Sequence, residues 1–234
     1  MKSSRNWIKT RKMQNQSTKI REIFTSIQGE GPYVGQKQIF VRFCKCNLKC
    51  DFCDTDFAPK DAKTYTTDEL FDELDKINCN TVSFTGGEPL MDVEFLKEFL
   101  IKYKSDLRKK IYLETNGILF EQLSEIIDYV DIVSMDIKLE SATGQKPRYI
   151  HNDKFLEVAT KKEAFIKVVF DKNILQEEID FCVKCARKYR LPLILQPKMP
   201  MEEGFEFEKV FDKFYEQYEK VFLIPQVHKF LNIL

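Results

Sequence analysis

Net charge is the first thing this sequence lacks: 37 Lys and Arg balance 37 Asp and Glu over 234 residues, and the pI is near 6.8. Such a balance gives no general electrostatic pull toward nucleic acid or an anionic membrane. Long apolar runs are missing too. Mean hydropathy is −0.37, and no stretch approaches the roughly 20 apolar residues that cross a bilayer. Only two histidines, His151 and His228, are present as metal ligands or bases. No Pro-, Gly- or Ser-rich linker divides the chain, and its length suits one well-buried core and is short for two. These absences point to a soluble, cytoplasmic, single-domain protein that binds neither nucleic acid nor membrane directly.

What is present lies unevenly. Met1 to Arg21 carries seven basic residues (Lys2, Arg5, Lys9, Arg11, Lys12, Lys19, Arg21) and no acid. It has no apolar h-region, so residues 1–22 read as a solvated basic tail and 23–234 as the folded domain, with Met13 a second candidate start. The seven cysteines are an odd number, and Cys44, Cys46, Cys50 and Cys53 crowd into ten residues. That crowding suits metal or redox chemistry in a reducing compartment better than a disulfide framework.

From residue 39 onward, short β-branched and aromatic runs alternate with amphipathic stretches, the pattern of βα units around a parallel sheet or barrel. Strands are expected at Ile39–Phe43, Thr81–Phe84, Lys110–Glu114, Asp131–Asp136, Ala164–Phe170, Leu193–Gln196 and Val221–Pro225. Thr66 with Glu69 forms a capping box ahead of Leu70, Phe71, Leu74 and Ile77, and Asp92 is the expected cap of the next helix. Further helices fit Phe120–Tyr129, Lys154–Lys162, Leu175–Tyr189 and Phe205–Lys220. Polar and glycine residues follow the expected strands: Thr85-Gly86-Gly87-Glu88-Pro89, Glu114-Thr115-Asn116-Gly117, Ser134 with Asp136 and Lys138, Gln196-Pro197, then Gln226 and His228. In a β/α barrel the strand C-terminal ends share one face, so a single pocket could collect them all.

Cys46, Cys50 and Cys53 read C-x3-C-x2-C directly after the first of these strands. Thiolates are soft ligands for zinc or for an iron–sulfur cluster; a structural zinc would need a fourth ligand from Cys44, Cys79 or a histidine. With a strand and Gly-Gly-Glu-Pro downstream, this motif resembles the radical S-adenosylmethionine (SAM) superfamily, an α/β class built on an incomplete (β/α) barrel. The resemblance implies a 4Fe-4S cluster on the three cysteines, whose open iron is chelated by S-adenosylmethionine.

Ser26-Ile27-Gln28-Gly29-Glu30-Gly31, Phe40-Val41-Arg42, Cys46-Asn47-Leu48, Cys53-Asp54-Thr55, Glu114-Thr115-Asn116-Gly117, Leu195-Gln196-Pro197 and Gln226-Val227-His228-Lys229 narrow this further. Together they resemble the 7-carboxy-7-deazaguanine synthase family of the queuosine and 7-deazapurine pathway. That resemblance implies a radical ring contraction of 6-carboxy-5,6,7,8-tetrahydropterin, with hydrogen taken from C6, ammonia lost and S-adenosylmethionine regenerated. It also implies Mg²⁺, a homodimer, and a reducing partner such as flavodoxin or ferredoxin. By residue, it implies an S-adenosylmethionine site at Gly86, Gly87, Glu88, Glu114, Ser134 and Lys138. Substrate would meet Gln28, Glu30, Arg42, Thr85, Gln196, His228 and the terminal carboxylate of Leu234, with Arg42, Glu30 and His228 nearest the catalysis and Thr55 assisting magnesium. A guanidinium at Arg42 can grip a planar carboxylate in a bidentate fork, and Glu30 and Gln196 suit a pterin's amino and amide edge.

The chain departs from the family pattern in two places. Lys45, preceded by Cys44, stands where glycine is usual, and Ser134-Met135-Asp136-Ile137-Lys138 replaces a shorter Ser-Pro-Lys; its Asp-Ile-Lys resembles glycyl-radical activating enzymes, one alternative function. A non-catalytic zinc-binding module is the other. Cys182 and Cys185, at i and i+3 of a helix, read as buried thiols, Cys79 as core or a helix end, and His151 as surface. Phe211, Phe214, Tyr215 and Tyr218 form a core or dimer-surface stripe.

Overall fold

The computed structural model describes residues 16–51, 53, 62–200 and 203–233. Among these residues nine strands are formed: β1 (Ser17–Ile27), β2 (Lys37–Phe43), β3 (Lys63–Thr66), β4 (Thr81–Gly86), β5 (Lys110–Thr115), β6 (Ile132–Ile137), β7 (Glu163–Phe170), β8 (Leu193–Pro197) and β9 (Val221–Leu223). They make one open sheet in the order β3-β1-β2-β4-β5-β6-β7-β8-β9. Every neighbouring pair from β2 to β9 is parallel, while β1 runs antiparallel to β2 and β3. This is an incomplete α/β barrel, with right-handed crossovers the expected way for parallel neighbours to connect.

Helices supply those connections: α1 (Thr67–Asp75), α2 (Val93–Leu107), α3 (Phe120–Ile126), α4 (Glu140–Thr143), α5 (Tyr149–Ala159), α6 (Gln176–Tyr189) and α7 (Phe207–Tyr215), with α8 (Val227–Leu231) following the last strand. The capping box at α1 forms as its sequence predicts: Thr66 Oγ1 accepts from Glu69 N, and the Glu69 carboxylate accepts from Thr66 N at 2.9 Å. Asp92 does not cap α2 with its side chain; its Oδ1 instead accepts from Lys45 Nζ at 2.6 Å.

The alternation of side chains along each strand divides apolar from functional surface. Toward the helices, Phe43, Phe84 and Phe99 pack edge-to-face, with centroids 6.1 and 5.9 Å apart, inside a core that also takes Ile166, Val168 and Phe170 from β7. Truncating Phe84 would cost about 3–5 kcal/mol. On the opposite face, Tyr112, Ile132, Phe165 and Ile194 form a second, small apolar cluster nearer the start of their strands. Two residues further along, β5, β7 and β8 place Glu114, Lys167 and Gln196, and β6 places Ser134 and then Asp136. The inner face is therefore apolar at one end and charged at the other.

The fold begins earlier than the basic tail suggests. Ser17–Arg21 belong to β1, where Thr18 and Ile20 are buried between β2 and β3. The charged residues Lys19 to Glu22 mask this strand, and β3 is only four residues long, so neither reads as a strand from the sequence. α5 starts five residues before its expected start, and α7 ends at Tyr215, five before its expected end.

Candidate functional site

At the charged end of the inner face lies a cavity of about 570 Å³ bordered by the loop after β1, the C-terminal ends of β2 and β4–β8, and α8. Gln28, Glu30, Arg42, Cys46, Cys50, Cys53, Thr85, Gly86, Gly87, Glu114, Ser134, Lys138, Gln196 and His228 all line it. Thr55 and Leu234 lie outside the described residues. Glu88 does not line the cavity. Its fully buried carboxylate faces inward to the fold, accepting from Leu90 N at 3.1 Å, Asn116 N at 2.8 Å and Thr115 Oγ1 at 3.0 Å. Burial lifts its pKa to about 7 despite those donors. The Glu88 side chain thus braces β4 against β5.

Two hydrogen-bonded systems organise the wall. In the first, Gln28 Nε2 donates to Glu114 Oε1 at 2.9 Å and Thr85 Oγ1 donates to Glu114 Oε2 at 2.6 Å, while Gln28 Oε1 accepts from Glu30 N at 3.0 Å. The second centres on Glu30. Its Oε1 accepts from Gln196 Nε2 at 3.0 Å and Gln226 Nε2 at 2.9 Å, and its Oε2 pairs with Lys167 Nζ. Burial opposes the Glu30 charge, but Lys167, the Gln226 hydrogen bond and His228 outweigh it and hold the carboxyl well below its ordinary range. Lys167 also reaches Asp136 Oδ2 at 3.3 Å, the same oxygen that accepts from Lys138 Nζ at 2.8 Å. Three buried acceptors in cavity-lining residues have no hydrogen-bond partner: Asp136 Oδ1, Gln196 Oε1 and Asn116 Oδ1. Buried polar atoms are rarely left so.

Arg42 lies over the Phe24 ring, 5.4 Å from its centroid, and its Nε donates to Glu22 Oε1 at 2.7 Å. Glu22 faces Arg42 because β1 and β2 pair them directly. His228 reaches the cavity from α8, which is tied down by Val227 N donating to Gly29 O at 2.9 Å. A Cβ on Gly29 would sit 2.4 Å from His228 Nδ1, so only glycine admits the helix this close.

The cysteine loop packs against the glycine turn after β4. A Cβ on Gly87 would fall 1.9 Å from Lys45 O, and Glu88 N donates to that oxygen at 2.6 Å. Closest approach at this glycine is thus to the chain's own cysteine loop. Cys46 Sγ accepts from Leu48 N at 3.5 Å; burial raises its pKa and pushes the Cys50 thiol up to about 11. Sequence reasoning missed Lys167, Glu22 and Asn47, whose Oδ1 accepts from Asn116 Nδ2 at 2.7 Å. Asn116 itself was legible only as part of the Glu114-Thr115-Asn116-Gly117 motif, with no role of its own.

Comparison with known proteins agrees with this arrangement. The Radical SAM superfamily pattern matches residues 40–173, more than half of the chain. A 7-carboxy-7-deazaguanine synthase of Geobacter sulfurreducens is 31% identical over 95% of this chain and the whole of that protein. The chain belongs to the 7-carboxy-7-deazaguanine synthase family. A Thermoplasma acidophilum relative of the same name is also 31% identical, over 91% of this chain and 96% of its own. The fold of QueE from Escherichia coli superposes with a TM-score of 0.63 at 17% identity, covering 91% of this chain and 95% of that one. SuiB of Streptococcus suis, solved with S-adenosylmethionine bound, shares the fold at a TM-score of 0.55 and 19% identity, over 78% of this chain and 48% of its own.

Members of the radical SAM superfamily carry a 4Fe-4S cluster and use S-adenosylmethionine, and the residues here suit both. Among the described residues no three Cys, His, Asp or Glu side chains stand close enough to chelate a single ion, so the fit rests on donor chemistry. Three soft thiols border one cavity, Cys46 already accepts a backbone N–H, and Lys138 offers positive charge toward Cys50. The carboxylates of Glu30 and Glu114, in cavity-lining residues, are acceptors of the kind that the ammonium, hydroxyl and N–H groups of a cofactor and substrate need.

Proposed function

We infer that this chain converts 6-carboxy-5,6,7,8-tetrahydropterin into 7-carboxy-7-deazaguanine with release of ammonia, and that Cys46, Cys50 and Cys53 hold its 4Fe-4S cluster. The observation that carries this is the convergence, in one cavity, of those three thiols with a guanidinium and a buried set of hydrogen-bond acceptors. When bound, the cluster and S-adenosylmethionine supply the radical chemistry. The protein's task is to bind, aim and dry the reactants. Arg42 binds the substrate carboxylate through its terminal nitrogens while Glu22 fixes its Nε. Glu30 and Gln196 accept from the amino-amide edge of the ring, and an analogue lacking those N–H groups leaves them unpaired. Glu114, clamped by Gln28 and Thr85, joins the substrate side to the glycine turn at Gly86 and Gly87. Ser134 and Lys138 face S-adenosylmethionine, Lys138 meeting its carboxylate, and His228 closes the cavity from α8.

Mg²⁺ completes the reading, bound mainly through substrate and water with Thr55 as a protein ligand. A flavodoxin or ferredoxin supplies the electron, the chain acts as a homodimer, and the compartment is the cytoplasm. Free thiols at all seven cysteines suit a reducing compartment, and no helix among the described residues is long and apolar enough to cross a membrane. The test is anaerobic turnover of the reconstituted protein with dithionite, S-adenosylmethionine, Mg²⁺ and the pterin, read by mass spectrometry. The expected result is 7-carboxy-7-deazaguanine. Full iron loading with no such product would overturn the substrate assignment.

A further inference from the structure

β7 reads EAFIKVVF, and every residue from Ala164 onward is buried. Lys167 is the one charge in that run, in register with Asp136 of β6 and Ile194 of β8. A lysine on a strand buried on both faces persists only where its ammonium is paired. Here it lies between two carboxylates, Glu30 Oε2 on one side and Asp136 Oδ2 at 3.3 Å on the other. The remaining Glu30 oxygen is held by the amides of Gln196 and Gln226. Three donors from β7, β8 and the segment before α8 therefore fix the plane of one carboxylate; Oε1 already accepts two of them, and Oε2, which accepts one, keeps a lone pair for a ligand. A carboxylate only accepts, so Gln196 must turn its Nε2 toward Glu30, which leaves Gln196 Oε1 as the buried, unpartnered acceptor.

We propose that Lys167 is a positioning residue for substrate recognition: it holds the Glu30 carboxylate in one orientation, so that Glu30, on the cavity wall beside Gln196, presents its Oε2 to the N–H-rich edge of the pterin. This rests on the substrate reading above. The amides orient Glu30 as well, but the Lys167 ammonium is the largest of the groups that offset the loss of water around its charge, ahead of the Gln226 hydrogen bond and His228. Lys167 is itself held charged against the effect of burial by Glu30, Asp136 and Glu114, with Lys138, just after β6, the opposing cation. Glu30 is also faced by His228 from α8.

The test uses the cluster-loaded full chain and reads binding as well as turnover. Wild type, Lys167→Met, Glu30→Gln and the Glu30→Gln/Lys167→Met double variant are titrated anaerobically by calorimetry with 6-carboxy-5,6,7,8-tetrahydropterin and, separately, with S-adenosylmethionine, from about pH 5 to pH 8. Lys167→Met is expected to weaken pterin binding at least roughly tenfold and to leave S-adenosylmethionine binding within about threefold. Its pterin affinity falls further toward acid than that of wild type, because Glu30 without its cation takes up a proton there. The double variant keeps His228 but has no Glu30 carboxylate, and lacks that extra acid limb. In the Glu30→Gln background, Lys167→Met adds less than about twofold, since the residue acts through Glu30. This comparison stands even if Lys167→Met alone fails to fold, because the double variant strands no buried charge on Glu30. Unchanged pterin binding in Lys167→Met, equal loss of both ligands, or a further tenfold loss in the Glu30→Gln background would each overturn the proposal. Wild-type turnover in the same preparations separates the two levels. An active wild type with an unaltered Lys167→Met sinks this inference alone, whereas a wild type that binds S-adenosylmethionine but not the pterin sinks the substrate reading and this inference with it.

Discussion

Cys46, Cys50 and Cys53 share a residue type and nearly a spacing with Cys182 and Cys185, yet the two groups have opposite surroundings. The first three leave β2 in a loop and border the cavity, two of them partly buried and Cys53 exposed. The other two lie one turn apart on α6, buried against the sheet. Burial drives the Cys182 thiol well above its ordinary range and the Cys185 thiol to about 12, and raises Cys46 and Cys50 as well, so access to the cavity and not acidity separates the two groups. The element decides the role. At i and i+3 on an amphipathic helix, two cysteines share the face that packs on the core; in a loop at a strand end, they face the cavity that the barrel leaves open.

Breaking the loop group should have the largest effect. Cys50→Ala removes one of three cluster ligands, and iron and labile sulfide per chain should collapse with turnover down by roughly a thousandfold or more. Iron retained at the wild-type level would break the comparison. Arg42→Lys separates the cavity from its cluster: iron should be unchanged, while kcat/KM falls by roughly a hundredfold as the bidentate fork is lost. In the helix group, Cys182→Ser buries a hydroxyl in an apolar site and should cost about 1–3 kcal/mol of stability by denaturant titration, with iron content untouched. A drop in iron there would make α6 a second metal site. Smallest of all, Lys45→Gly, which removes the 2.6 Å pair with Asp92, should change stability by about 1 kcal/mol or less, because Lys45 is 55% exposed. It should also keep its iron, since the contact of Lys45 O with Glu88 N belongs to the backbone.

Much of this was legible beforehand, for physical reasons that differ by region. Seven strands and the convergence of their polar ends follow from the βα alternation, because strand direction alone places Thr85, Glu114, Ser134 and Gln196 on one face. Lys167 escaped notice because a strand buried on both sides reads as one apolar run, and only the alternation Phe165–Lys167–Val169 shows that its lysine turns toward the cavity. The inward turn of Glu88 was not legible, because a carboxylate beside two cavity-lining glycines looks like a ligand, while its side chain accepts from Asn116 N. β1 was hidden by its charges, which look solvated in sequence and in fact bring Glu22 against Arg42.

The central claim is that the cysteine loop and the Glu30–Gln196 wall serve one reaction in one cavity. It is tested most directly with pterin deuterated at C6, turned over anaerobically by the reconstituted protein and followed by mass spectrometry of both product and recovered S-adenosylmethionine. The account predicts 7-carboxy-7-deazaguanine together with deuterium in the adenosyl group, which requires that C6 and the cofactor share the cavity. Deuterium confined to unconverted pterin, with iron and S-adenosylmethionine fully bound, would contradict it.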